Sequence, residues 1–103
     1  MQSKKAVKIP SSLSILGKPY EIKWSDELEV TGLLGACSQS KQVIWLSTQV
    51  GPAQLQDTAL HEVLHIVSEE LKLGIDEENI CRLACGLYSA GVRLEAVRHL
   101  EEK

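Results

Sequence analysis

The longest regular pattern in the chain runs from about Pro52 to Leu73 and is typical of an amphipathic helix. Apolar residues recur in it at spacings of three and four, namely Leu60, Val63, Leu64, Val67 and Leu71. Pro52 suits the first turn of a helix, and Gly74 supplies a stop. The pattern therefore predicts a helix over residues 52–73.

The segments before this helix have the patterns of strands. Residues 12–24 predict a hairpin with its turn at Gly17-Lys18-Pro19, because Tyr20, Ile22 and Trp24 then alternate with charged residues. Residues 33–47 predict a second hairpin with its turn near residues 38–41. Its run of residues 43–46 is apolar on both faces, which favours a central, covered strand. The polar segment 25–32 predicts a loop or an irregular edge.

A second helical pattern follows Gly74. Asp76 is a good N-cap, and the helix is predicted from about Glu77 to Leu100, with an apolar stripe of Ile80, Leu83, Ala84, Leu87, Gly91 and Leu94. Strands followed by helices predict one α+β domain over residues 1–103, with a small, mainly antiparallel sheet of two hairpins and two long helices. Residues 1–11 are expected to be a loose N-terminal segment.

Composition narrows the class of protein. The 103 residues are 44% hydrophobic and 24% charged with a net charge of -3, which predicts a soluble globular protein without an electrostatic footprint for nucleic acid. No apolar run reaches the roughly 18 residues of a membrane span, and the N-terminus does not have the pattern of a signal peptide. Three cysteines, an odd number, argue against a disulfide framework and favour a cytoplasmic protein with reduced thiols.

The stretch "TALHEVLHIVSEE" (residues 58–70) carries the motif H-E-x-x-H in His61, Glu62 and His65. On a helix the two imidazoles lie about 40° apart, so both can bind one ion. Glu62 is rotated away and can reach a metal-bound water without binding the metal. Zinc lowers the pKa of that water to about 7, and a carboxylate can then accept its proton. The alternative is an ordinary, partly buried helix with two histidines and a solvated glutamate.

The segment "LHEVLHIVSEELKLGIDEENICRLACGLY" (residues 60–88) resembles the small zinc-dependent metallopeptidases of the gluzincin type, especially short phage-encoded or prophage-encoded proteins with a minimal core. The resemblance covers about residues 33–90. It implies a small sheet before the motif helix and a glutamate on a second helix as third zinc ligand. It also implies a peptide or protein substrate, and the host cytoplasm if the chain is phage-encoded.

Glu77 fits the downstream pattern of the resemblance, with Ile80, Leu83 and Ala84 after it. It lies about 50° from the middle of the apolar stripe, whereas Glu78, the alternative ligand, lies about 150° away. The distance from Glu77 to the histidines is a difficulty, because a first helix that runs to Leu73 ends about 12 Å beyond His65. Glu77 then reaches the histidines only if that helix ends early or the helices cross steeply.

Other residues leave alternatives open. Cys81 and Cys85, four apart on a helix, predict either a closed structural zinc site with the two histidines or two small buried residues. Tyr88 is either a hydrogen-bond donor to a developing oxyanion or a packing residue. Cys37 is expected in the core. Residues 42–47 are either an edge strand that pairs with extended substrate or an interior strand.

These patterns predict a zinc-dependent metallopeptidase that hydrolyses a peptide bond with metal-activated water and Glu62 as general base. His61, His65 and Glu77 are the expected ligands. One alternative is a metal-binding protein whose zinc is structural. Another is an interaction protein that keeps the fold without turnover. So short a chain leaves few residues for a specificity pocket, which is compatible with an oligomer or a protein partner.

Overall fold

The computed structural model describes residues 12–25, 34–47 and 51–97, in four strands followed by two helices. The strands are β1 (Ser12–Ile15), β2 (Lys18–Ser25), β3 (Gly35–Ser38) and β4 (Val43–Ser47), and the helices are α1 (Pro52–Glu70) and α2 (Glu77–Ser89). This order confirms the predicted α+β class. The expected loose segment 1–11 and nearly all of the expected polar loop lie outside the described residues.

The four strands form one sheet in the order β1-β2-β4-β3. Each predicted hairpin is present as an antiparallel pair, β1 with β2 and β3 with β4. The hairpins join through a parallel pairing of β2 with β4, so the sheet is mixed. This arrangement puts β4 in the interior and leaves β3 as an edge strand of the described sheet. The predicted central position of residues 43–46 is confirmed, and the suggestion that residues 42–47 form an edge strand is wrong.

The turn of the first hairpin is shorter than predicted. Ile15 pairs with Lys18, and only Leu16 and Gly17 lie between the strands. Both have positive φ angles, 52° and 82°, as a two-residue type I′ turn requires. Lys18 and Pro19 therefore belong to β2 and not to the turn.

One face of the sheet packs against α1 and forms the core. Its buried side chains come from β1, β2 and β4 and meet those of α1, and Val97 joins them from the segment after α2. The cluster consists of Ile15, Tyr20, Ile22, Ile44, Leu46, Leu55, Ala59, Ile66 and Val97. One buried face of α1 is the series Leu55, Ala59, Glu62 and Ile66, at helical spacing. The buried face of α1 therefore differs from the apolar stripe that the sequence predicts: Leu60 of that stripe is buried, but Leu71 is more than half exposed. Glu62 lies on the buried face.

Helix α1 ends at Glu70, three residues earlier than predicted. Lys72 adopts a positive φ of 54°, and the backbone N–H of Leu73 donates to the carbonyl of Ser68 at 2.8 Å. These are the features of a Schellman motif, and Lys72, not Gly74, takes its left-handed position. The early end shortens the distance from His65 to the second helix.

Helix α2 ends at Ser89, so its predicted extension to Leu100 is wrong. Gly91 has a φ of 101°, and the N–H of Val92 donates to the carbonyl of Leu87 at 2.9 Å, which is again a Schellman motif. The side chain of Gln56, fully buried, then makes two hydrogen bonds with the backbone of Leu94. The chain after α2 is thus fixed against α1. Neither α1 nor α2 is long and apolar enough to cross a lipid bilayer.

Candidate metal centre

His61 and His65 lie one turn apart on α1 and present their ring nitrogens to the same point. Their Nε2 atoms are 3.1 Å apart, and the rings meet edge to face with centroids 4.7 Å apart. Both side chains are partly buried, with 19% and 33% of their surface exposed. Both histidines line the cavity beside α1.

Glu77 completes the cluster from the first turn of α2. Its Oε1 lies 2.8 Å from Nε2 of His65, and its Oε2 lies 3.0 Å from Nε2 of His61. Two hydrogen bonds fix the approach: the backbone N–H of Ile75 donates to Oγ of Ser68 at 3.0 Å, and that of Asn79 donates to Oδ1 of Asp76 at 2.9 Å. The predicted N-cap Asp76 is confirmed. The early end of α1 removes the difficulty of reach.

The three side chains fit one metal ion. The ligand atoms of His61, His65 and Glu77 all lie within 4.8 Å of one another. Around a tetrahedral ion with bonds of about 2.1 Å, neighbouring ligand atoms are roughly 3.4 Å apart. The two histidine Nε2 atoms are 3.1 Å apart, and each lies 2.8 or 3.0 Å from a different oxygen of Glu77, so the separations are a few tenths of an ångström shorter than this value. Two imidazoles and a carboxylate suit a divalent transition metal.

Glu62 is not a solvated residue. It is only 7% exposed, and burial raises the pKa of its carboxyl, an effect opposed by a hydrogen bond with Cys37 and by the neighbouring histidines. Its carboxylate lines the same cavity as the three metal-ligating side chains. The alternative of a surface glutamate on an ordinary helix therefore does not describe this position.

Strand β3 forms the opposite wall of the cavity, and two of its residues were missed by sequence reasoning. A Cβ on Gly35 would lie 2.7 Å from Cγ2 of Thr58 and 3.2 Å from Oε2 of Glu62, so glycine allows α1 to approach the strand. Cys37, expected only to pack in the core, hydrogen-bonds with Glu62, and burial raises the pKa of its thiol to about 12. A glycine inside a strand was the available signal for a close approach.

Cys81 touches the cluster without joining it. Its thiol donates to Oε2 of Glu77 at 3.5 Å, and its Sγ lies 3.7 Å from Nδ1 of His61. Cys85, one turn further along α2, is exposed. Within the part of the chain that the structure describes, the group of side chains that could hold a metal ion is His61, His65 and Glu77, without either cysteine. The closed Cys/His site is thus not formed.

The two other candidate residues lie away from the centre. The carboxylate of Glu78 pairs with Arg82 at 2.7 Å on the exposed side of α2. Tyr88 lies two turns beyond Cys81, with the guanidinium of Arg93 at 3.7 Å from its ring centroid, and it lines neither cavity beside the motif. Glu78 is therefore not placed as a ligand, and Tyr88 is placed as a packing residue.

The cluster opens into a groove between β3 and α1. A cavity of about 540 Å³ contains the three metal-ligating side chains and Glu62, and extends to Gln39 and Glu69. A second cavity of about 250 Å³ adjoins it towards the start of α1. Gly35, His61 and Glu62 line both cavities, so the groove passes on either side of Glu62.

Comparison of the chain with protein-family models, with curated proteins and with solved structures gives no match. The resemblance to gluzincin metallopeptidases therefore stays an expectation from the motif. The geometry establishes a group of side chains able to hold a metal ion, with a buried carboxylate beside it.

Proposed function

We propose that this chain is a zinc-dependent peptidase in which His61, His65 and Glu77 hold the metal and Glu62 is the general base. One observation carries the proposal: three ligand atoms converge within 4.8 Å next to a carboxylate that is only 7% exposed and lines the same cavity. Three protein ligands leave a coordination position for water, which is the arrangement of catalytic zinc sites. Zinc bound in this way activates water for attack and polarises the substrate carbonyl.

The residues around Glu62 have defined tasks in this reaction. The Glu62 carboxylate accepts the proton of the attacking water and passes it to the leaving amine. The hydrogen bond with Cys37 and the close approach at Gly35 hold that carboxylate in the groove. Strand β3 is an edge strand of the described sheet, whereas residues 42–47 lie inside it, so β3 is the strand of the two with which an extended peptide could pair.

Glu62→Gln tests the proposal. The amide keeps the shape of the side chain but cannot accept the proton, so the rate of peptide hydrolysis by the zinc-loaded protein should fall about 10²-fold to 10⁴-fold. Zinc affinity, measured by competition with a chromogenic chelator, should stay within about twofold of wild type, since Glu62 is not a ligand. Glu78→Gln, an equal change of charge outside the groove, is the control and should alter neither quantity. Hydrolysis that survives in Glu62→Gln contradicts the proposal.

A second candidate is a metal-binding protein without turnover, and the position of Cys81 favours it. Its Sγ lies 3.5 Å from Oε2 of Glu77, so a small movement would offer a thiolate to the metal in place of water. Cobalt substitution separates the candidates, because a thiolate ligand gives a charge-transfer absorption that Cys81→Ser would remove. If the wild-type protein lacks that absorption, the open, catalytic arrangement is the candidate that remains.

A further inference from the structure

Helix α2 is attached to the rest of the described protein through a small interface. Of the described strands and helices, only α1 packs extensively against it. The hydrophobic core cluster and the partly buried side chains packed against it include none of the described residues of α2. Within the helix only Ile80 and Ala84 are buried, and Leu83 is 43% exposed. Since alanine contributes little apolar surface, hydrophobic burial holds α2 against α1 only weakly.

The helical structure of α2 depends on this contact with α1. The helix has 13 residues, and an isolated helix of about that length is marginal in water. The Asp76 cap favours its first turn but does not replace tertiary packing. If α2 left α1, its backbone hydrogen bonds would therefore open to water.

The chain on both sides of α2 is held independently of the helix. Before it, the backbone N–H of Ile75 donates to Oγ of Ser68 at 3.0 Å. After it, the buried side chain of Gln56 makes two hydrogen bonds with the backbone of Leu94. An opening of α2 can thus be confined to residues 76–93, while α1 and the sheet keep their common core.

The candidate metal ligands are divided between the two helices. His61 and His65 belong to α1, and Glu77 is the ligand from α2, with its oxygens 3.0 and 2.8 Å from their Nε2 atoms. The Glu77 side chain is 64% exposed, so these polar contacts compete with water and stabilise the interface little by themselves. A metal ion bound by all three side chains would join the helices, because α2 could then leave only by giving up a charged ligand.

We propose that metal binding docks α2 onto α1, and that without metal α2 opens locally while α1 and the sheet stay folded. The proposal rests on the metal site of the proposed function but not on peptide hydrolysis. Glu77 lines the larger cavity, so opening of α2 removes part of the groove wall together with the third ligand. Metal occupancy therefore controls whether the groove is complete.

Hydrogen exchange of the full chain, followed by mass spectrometry, tests this inference without a substrate. With a chelator present, the amides of α2 should exchange at least about tenfold faster than those in the middle of α1. Zinc at about 100 times its dissociation constant should slow exchange in α2 by up to about 100-fold, because opening then requires release of the ion. In Glu77→Gln the α2 amides should exchange rapidly with and without zinc. Glu78→Gln, an equal change of charge in the same helical turn, should behave like wild type.

The outcomes separate the inference from the proposed function. Exchange in α2 as slow as in α1 without metal overturns the inference, as does zinc protection of α2 that is equally large in Glu77→Gln. Competition with a chromogenic chelator measures zinc binding in the same samples, and a wild-type protein that binds no zinc also overturns it. Slow exchange in β4 and α1 verifies that each variant is folded. Zinc-dependent protection of α2 without peptide hydrolysis supports the inference and contradicts the proposed function, whereas hydrolysis by a protein whose α2 is protected without metal does the reverse.

Discussion

Oε1 of Glu77 lies 2.8 Å from Nε2 of His65, although the end of one helix and the start of the next separate the two residues. The distance depends on two backbone features of the connection. Lys72 ends α1 with a positive φ, and Asp76 caps α2 through the N–H of Asn79. The candidate metal centre therefore depends on the way the helices end and begin, in addition to the histidine spacing on α1.

Zinc should stabilise the fold through Glu77. At a zinc concentration about 100 times the dissociation constant, binding to the native state adds about 2.7 kcal/mol to the free energy of unfolding. Glu77→Gln removes the charged ligand, so most of this gain should disappear at the same zinc concentration. Urea unfolding with zinc and with chelator measures the difference. Glu78→Gln should behave like wild type, and an equal gain in Glu77→Gln would show that Glu77 does not bind the metal.

Gly35→Ala should disturb the site by overpacking the contact between β3 and α1. The added Cβ would lie 2.7 Å from Cγ2 of Thr58 and 3.2 Å from Oε2 of Glu62, so the helix or both side chains must move. Overpacking of this kind costs about 1–3 kcal/mol of stability, and displacement of Glu62 should also lower the rate of hydrolysis. Unfolding in urea and hydrolysis by the zinc-loaded protein are the two measurements.

Gly86→Ala is the matched control for that substitution. Gly86 lies in α2, and a Cβ there would meet nothing within 4 Å. Alanine is a better helix former than glycine, so this variant should gain about 0.5–1 kcal/mol of stability. If Gly35→Ala were also neutral or stabilising, the close contact between β3 and α1 would not exist in solution.

Sequence reasoning was sufficient where the interactions are local. The positions of His61 and His65 on one helix follow from helical periodicity, and the N-cap role of Asp76 follows from its side chain. The contact of Glu77 with the histidines could not be derived in the same way. It depends on Lys72, a residue without special conformational freedom, taking the left-handed position that Gly74 was expected to take.

The remaining parts of the site depend on tertiary packing. The parallel pairing of β2 with β4 leaves β3 at the edge, and no local pattern specifies which strands of two hairpins pair. That arrangement decides that Gly35 and Cys37 face Glu62 and that Asp57 lines a cavity. Burial of Glu62 likewise follows from the sheet covering one face of α1.

Cys37 should be the least reactive thiol of the described residues. Burial raises its pKa to about 12, and the negative charge of Glu62 contributes to this shift. Since the thiolate is the reactive form, native protein at pH 8 should alkylate far more slowly at Cys37 than at the exposed Cys85. Peptide mapping by mass spectrometry after timed iodoacetamide treatment measures both rates. In urea the two rates should converge, and equal rates in native protein would contradict a partly buried thiol bonded to Glu62.

Glu70 should make the fold sensitive to acid. Lys18 donates to Oε1 at 3.0 Å and Gln39 donates to Oε2 at 3.0 Å, and the pKa of Glu70 lies below its ordinary value, chiefly because of the hydrogen bond from Lys18. Below the ordinary glutamate pKa of 4.5 the unfolded chain therefore binds the proton first. This contribution to stability is present at neutral pH and is lost as the pH falls through the lowered pKa of the folded protein.

Urea midpoints compared between pH 7 and a pH in that window should decrease more in wild type than in Glu70→Gln. Lys18→Met removes the main cause of the pKa shift and should therefore also be less sensitive to acid than wild type. Identical losses of stability in all three proteins would mean that the contact between Lys18 and Glu70 is not formed.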